Sequence, residues 1–360
     1  MRFTRGDAIA VQHYHPVLVE GAGTHSAATP DVRVGIVSWN TAQLLDRCLT
    51  SLPAALGDLR AEIVVVDNAS SDGSARVARS HPGVEVRARG QNSGYAVAMN
   101  EALSGTSAPT LIALNPDTEA PPGSLAALAA DLVQDPSLGL VVPTLVDGDG
   151  RPQRSIYPFP GILTALENGF VPPGLRRPWP VSRLRLRSSA GGQAGDDILR
   201  RQWAVGAVHC IRAAALAGRA PYCARWFMYA EDIELCWWLR RAGWRLAQRH
   251  DVAVVHHGNA AGQQRWGTGA TLELRSLPNI YDWLWTDRSA ALGRATAAVN
   301  VAGVSSKELA LRLGVAAYRG RGPAADRWMG RAAELATLRQ YHAAVLAGGP
   351  RGVDEPPPGS

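Results

Sequence analysis

Three short, almost purely aliphatic runs constrain this chain more than anything else in it: VRVGIVSW at 32–39, AEIVVVDN at 61–68 and TLIALN at 110–115. Runs this brief and this apolar predict strands covered on both faces, as in a parallel sheet. A sheet with one wet face would alternate apolar and polar residues instead. Segments of helical period stand between them. TAQLLDRCLTSLPAAL (41–56) spaces Leu44, Leu45, Leu49 and Leu52 along one face, a helix is expected to open near Ser71, and GYAVAMNEAL (94–103) reads as another. VEVRARG (84–90) is a shorter strand. Strand and helix in alternation give the α/β class, a mostly parallel sheet flanked by helices. Ligands of such sheets bind at the carboxyl ends of the strands. Polar residues stand there: Ser38 and Asn40, Asp67 and Asn68, Asn92, Asn115 and Asp117.

The alternation begins at Asp31, and residues 1–30 read as an N-terminal tail. Residues 31–270 are expected to form the main domain, with a regular half (31–120) and a less regular half (140–270). Residues 271–345 are Ala-rich and helical, and 346–360 are a tail. Those C-terminal helices could pack on the domain, pair with a second subunit or lie on an anionic membrane. The four cysteines have no metal-ligand spacing, so reduced thiols in a cytoplasmic protein are the expectation. No uncharged apolar run reaches the length of a bilayer span, so contact with a membrane would be peripheral, at its inner face. The net charge of +6 favours anionic partners. Arg176, Arg177, Arg183, Arg185 and Arg187 cluster without an acid, as a solvated loop or a phosphate or membrane contact. They accompany no nucleic-acid recognition motif, so nucleic acid is not an expected partner.

The first strand is followed by SWNTAQ in place of a glycine-rich cradle, so any nucleotide is held by side chains and strand ends. The same absence argues against a sugar-1-phosphate nucleotidyltransferase. Asp67 could receive a base or ribose, or cap the helix near Ser71. Asp117, just past a buried strand, could bind a divalent cation, since Mg²⁺ needs only one or two protein carboxylates beside phosphate and water. A plain Asx turn, or an N-cap region before the next helix, explains it equally well. Glu231 and Asp232 open a helix apolar on nearly every face. They either answer the helix dipole or include a general base. Glu234, one turn on, could brace Arg240, Arg241 or Arg245. His256 and His257 end a strand, where only one of them can face a site.

With these stretches together, the chain resembles the inverting family 2 glycosyltransferases of GT-A fold, in particular the rhamnosyltransferase-like branch. The resemblance rests on VSWN (37–40), VVVDNASSDGS (64–74), NSGYAVAMN (92–100), LNPDTE (114–119), FMYAEDIELCWWLRRAGW (227–244) and VVHHGN (254–259), collinear over two thirds of the chain. It implies a Rossmann-like GT-A domain whose first half binds a nucleotide-sugar and whose second half carries the acceptor and the base. Ser38, Trp39, Asn40, Asp67, Asn68, Asn92, Gly94, Asn100 and Asn115 would then bind donor. Asp117 with His256 would hold Mg²⁺ or Mn²⁺, Asp232 would be the base, and Glu231 its acidic neighbour. The implied donor is dTDP-L-rhamnose, or a UDP-hexose, and the implied acceptor a carbohydrate or lipid-linked hydroxyl. A noncatalytic sugar- or lipid-binding relative would keep the fold and lose the acids. An ionised Asp232 near its ordinary pKa of about 3.9 is expected. The departures from the family pattern, Glu234, Trp238 and GRAPYCARWF (218–227), fall on the acceptor side.

Overall fold

A single sheet gathers the predicted strands. The computed structural model describes residues 29–171, 196–197, 202–258, 270–317 and 323–350. The arginine-rich stretch from Arg176 to Arg187 and most of both tails lie outside the described residues. Strands β1 (Val32–Ser38), β2 (Ala61–Asp67), β3 (Val84–Ala88) and β4 (Thr110–Leu114) alternate with α1 (Ala42–Leu56), α2 (Ser74–Ser80) and α3 (Tyr95–Leu103). They lie parallel in the order β3-β2-β1-β4.

The second half adds β5 (Thr118–Glu119), α4 (Ser124–Gln134), β6 (Leu138–Val146), β7 (Pro152–Gln153), β8 (Ile156–Pro158) and α5 (Ile162–Phe170). It continues with β9 (Asp196–Asp197), β10 (Gln202–Ala204), β11 (Val208–Arg212), α6 (Glu231–Arg241) and β12 (Arg245–His256). From β4 the sheet runs on as β11-β6-β12-β5, with β11 antiparallel to both neighbours. β8 and β10 form a separate antiparallel pair. The sheet's two faces bury two apolar clusters. Val64, Val66, Leu111 and Ala113 pack with α3 and α6, while Val34, Ile36, Val65 and Ile112 pack with α1 and α4. Each buried Val, Leu or Ile side chain among them contributes about 1.5–3 kcal/mol when taken out of water. Arg33, the one charge inside β1, is buried against Glu62 at 2.9 Å. Gly35 lets α3 rest on β1, because a Cβ there would stand 2.8 Å from Leu103.

Three further helices follow: α7 (Ala270–Trp283), α8 (Ala290–Ala317) and α9 (Pro323–Gly348). Their Tyr281, Trp283, Ala297 and Val345 join the cluster that holds Met99 and Leu235, so they are packed on the sheet domain. Glu308 ties α8 to α9 through Arg339 at 2.9 Å. Where α8 crosses α5, Gly169 and Gly303 meet backbone to backbone. A Cβ on Gly303 would lie 2.5 Å from Gly169 Cα. Among the described residues no helix is long and apolar enough to cross a membrane.

Gly303→Ala forces this crossing apart, and overpacking of that kind typically costs about 1–3 kcal/mol. A lower urea midpoint with unchanged slope is expected, and an unchanged midpoint would show that the helices are not seated as described.

Candidate active site

Parallel register places the strand-end loops side by side. Ser38 stands opposite Asp67, and Asn68 N–H donates to Ser38 O at 2.8 Å. Ser38 Oγ meets Thr41 Oγ1 at 2.9 Å, while Asn40, at φ 53°, accepts from Ser71 N–H at 2.8 Å. These two residues therefore knit the first two loops together, and Trp39 between them lines a cleft of about 220 Å³. Asp67 is buried and takes the Ser70 N–H at 3.1 Å through Oδ2, while its Oδ1 meets no hydrogen-bond partner among the described residues. The expected cap is not its role. Helix α2 starts at Ser74, three residues later than the sequence suggests, and Asp72 receives that N–H at 3.0 Å.

Asn68 and Asn92 also line the cleft and bond to each other at 2.8 Å. Gly94 follows at φ +87°, where an added Cβ would come within 2.3 Å of Phe227 O. Only a residue without a side chain lets the 227 loop close here, and Tyr95 N–H then donates to Phe227 O at 2.8 Å. Asn100 does not line the cleft. Its amide spans the backbone of Tyr222, donating to O at 2.7 Å and accepting from N–H at 3.0 Å.

Asp117 lies buried in the turn between β4 and β5, well before α4 begins, so it caps no helix. Pairing of β5 with β12 sets Thr118 opposite His256, which brings Asp117 Oδ1 and His256 Nε2 to 3.5 Å at the cleft. Gln153 fixes the imidazole. Its Nε2 donates to His256 O at 2.6 Å, so its Oε1, 3.1 Å from Nδ1, accepts the ring N–H. The lone pair of Nε2 is thereby turned toward the Asp117 carboxylate. Two electron-pair donors facing each other suit a shared cation, so this pair fits a divalent metal. His257 turns the other way, onto Glu119 at 2.6 Å. Among the described residues no cluster of three His, Cys, Asp or Glu exists.

Glu231 and Asp232 open α6 and both line the cleft. The chain reaches them through Tyr229 and Ala230, at φ 74° and 76°, left-handed conformations that cost of order 1–3 kcal/mol each. Asn279 of α7 braces this turn by donating to Met228 O at 2.7 Å and Tyr229 O at 3.3 Å. Asp232 accepts from Gly206 N–H at 3.2 Å and from Ile233 N–H at 2.9 Å. Burial nonetheless holds its pKa above the usual carboxylate range, against the expectation of an ordinary aspartate. Glu231 is raised as well, first by burial and then by the neighbouring Asp232 charge. Two buried carboxyls so placed resist ionising together. Glu234 braces none of the three expected arginines. Arg219 reaches it instead, in a double contact at 2.7 and 2.9 Å, because α6 turns that face to the 219–222 loop. Sequence reasoning missed Tyr95 and the Val205-Gly206-Ala207 loop, which complete the cleft wall. The small residues between two short strands were their signal.

Residues 33–191 match the family described as glycosyl transferase family 2. Two curated proteins of Mycobacterium tuberculosis strains, each named N-acetylglucosaminyl-diphospho-decaprenol L-rhamnosyltransferase, are 27% identical over 234 residues, 61% of this chain and 74% of theirs. A mannosyltransferase of Pyrobaculum calidifontis, solved with GDP-Man and Mn²⁺, superimposes over 89% of this chain and 88% of its own with a TM-score of 0.53 at 17% identity. At that identity the likeness speaks for the fold alone, which is GT-A.

A carboxyl that resists ionisation in the fold keeps its stabilising share below the usual carboxylate range and loses it as the pH climbs through its raised value. Glu231→Gln is neutral throughout. It should melt with the wild type near about pH 4 and several degrees above it at about pH 9. Parallel melting curves at both pH values would show that Glu231 is not raised.

Proposed function

We propose, from the premise that residues 33–191 belong to glycosyl transferase family 2, that this protein transfers a sugar from a nucleoside diphosphate donor to an acceptor hydroxyl with inversion. The observation that carries the reading is the acid pair at the head of α6. Asp232 accepts two backbone N–H groups, and with Glu231 it opens on the same cleft as Asp117 and His256.

The fold and the family make a nucleotide-sugar the natural occupant of the strand-end cleft. Trp39, Asn68, Asn92 and Asn115 line it, and Asp67 lies beneath with a buried oxygen to offer a hydroxyl or a base N–H. Asp232 accepts the proton of the acceptor hydroxyl as its oxygen attacks the anomeric carbon, opposite the departing diphosphate. The C–O bond to the diphosphate breaks as the new glycosidic bond forms, so configuration inverts in one displacement. Glu231, kept protonated, withholds a second negative charge from the site. Asp117 and His256 would hold Mg²⁺ or Mn²⁺, which supplies charge neutralisation on the leaving diphosphate, typically worth several kcal/mol.

The names of the curated relatives support L-rhamnose as the sugar and a lipid-linked, diphosphate-bearing acceptor, and dTDP is the carrier this reading assigns to it. Such an acceptor belongs to cell-wall, polysaccharide or glycolipid assembly, and the protein would meet it at the cytoplasmic face of a membrane.

Release of nucleoside diphosphate from a panel of dTDP-, UDP- and GDP-sugars tests the reading. Metal-dependent release from dTDP-L-rhamnose is expected, with loss of roughly a hundredfold or more in Asp117→Ala, the size of a metal's several kcal/mol. Asp232→Asn should still bind donor in calorimetry while losing transfer. Binding of no donor at all would overturn the proposal.

A further inference from the structure

A second, larger cavity of about 540 Å³ lies where the C-terminal helices close over α5 and the β8–β10 pair. Its volume falls in the range of small-molecule sites, roughly 300–1,000 Å³. Its chemistry is not that of a packing gap. Tyr157 and Trp203 stack on one wall with ring centroids 5.4 Å apart, and Arg154 sits 4.1 Å over the Tyr157 ring. Lys307, which donates to Asn168 O, and Arg331, paired with Glu334, stand in the lining, and Glu167 adds a buried carboxylate.

On the C-terminal side stands a polar chain. Asn300 Nδ2 donates to Tyr281 OH at 2.9 Å, which directs the phenol proton to His342 Nδ1 at 2.8 Å. Burial lowers the His342 pKa to about 4, so the ring is neutral and its remaining proton is on Nε2. Asn300 Oδ1 and His342 Nε2–H are thus an acceptor and a donor on two residues that line the cavity. Aromatic faces with paired acceptors and donors suit a sugar, and the cations suit a phosphate attached to it.

Two short chain links join this cavity to the catalytic cleft. Ile233 lines the cavity and Asp232, the residue before it, lines the cleft. Trp203 of β10 lines the cavity, and Val205, just past the end of that strand, lines the cleft.

We propose that this cavity seats the sugar-phosphate portion of the acceptor, so that α7, α8 and α9 form the acceptor-selecting wall of the enzyme. The inference rests on the glycosyl-transfer reading above, yet its test does not pass through donor chemistry.

Calorimetry on the full chain without nucleotide-sugar would use N-acetylglucosamine 1-phosphate, methyl N-acetylglucosaminide and inorganic phosphate as probes. Saturable binding is expected for the sugar phosphate, weaker for the neutral glycoside and weaker still for phosphate. Trp203→Ala and Asn300→Ala should each weaken the sugar phosphate by roughly tenfold, as one stacking or hydrogen-bonding contact would. Val133→Ala, on the exposed side of α4, should not. Because either cavity variant could disturb packing, hydrogen exchange of the wild type provides a second readout. The probe should slow exchange in 157–168 and 296–304. No saturable binding, phosphate binding as tightly as the sugar phosphate, or protection elsewhere would overturn the inference. If donor release persists while the probe fails to bind, the acceptor cavity falls and the glycosyltransferase reading stands. If the probe binds as expected and no donor does, the glycosyltransferase reading falls and the acceptor role with it, and the cavity stands as a sugar-phosphate site only.

Discussion

Parallel, in-register pairing of β1 with β2 and β4 is the constraint on which the rest of the molecule depends. It lines up Val32 with Ala61 and Thr110, and from there β1, β2 and β4 end on the same rim. The loops after β1, β2 and β4 then have nowhere to go but beside one another. Asn68 N–H can then reach Ser38 O, and Asn40 the Ser71 N–H, across that rim without reaching into the core. The antiparallel strand β11 keeps the sheet growing past β4, and β12 returns along β6 to close against the short β5. The two ends of the sheet's path are thus folded onto one cleft. Asp117 and His256, far apart in sequence, become neighbours by strand pairing alone.

The chemistry of the cleft follows from where this rim sits. Strand ends that emerge from a doubly covered sheet are poorly hydrated, so charges placed there are expensive unless something answers them. Asp232 is answered by two backbone N–H groups, His256 by Gln153, and Glu231 by holding on to its proton. Adjacent carboxyls in one enclosed cleft thus meet a single constraint, and it comes from burial more than from residue type.

Much of this was legible from the sequence and some of it was not, for physical reasons. The buried strands announce themselves because burial on both faces leaves no choice of residue, and the polar residues that follow them mark the rim. Which of His256 and His257 faces the cleft could not be read, because strand alternation gives two faces without saying which is which. The pairing of β12 with β5 decides it. Glu234 was misassigned to arginines on its own helix or just beyond it, whereas its partner Arg219 comes from a loop that only tertiary packing brings near. The raised pKa of Asp232 was invisible because the residue's enclosure depends on Gly206 and the 227–229 turn, neither of which carries a sequence signal of charge. The loose reading of 140–270 had the same origin. Its strands β8, β10 and β11 are short, and their partners are distant in the chain.

The brace from Asn279 carries a consequence for how such a protein can be divided in evolution. The segment recognisable as family 2 ends at residue 191, yet the acids lie at 231 and 232, and the turn that presents them is clasped by a helix that starts at 270. The stretch that is recognised is smaller than the stretch that works. A recombination event that exchanged only the recognisable module would carry off β1 to β8 and leave behind β11, β12, the acid pair and the clasp that holds its turn. Keeping the cleft whole therefore requires co-inheritance of helices that look, taken alone, like an expendable appendage.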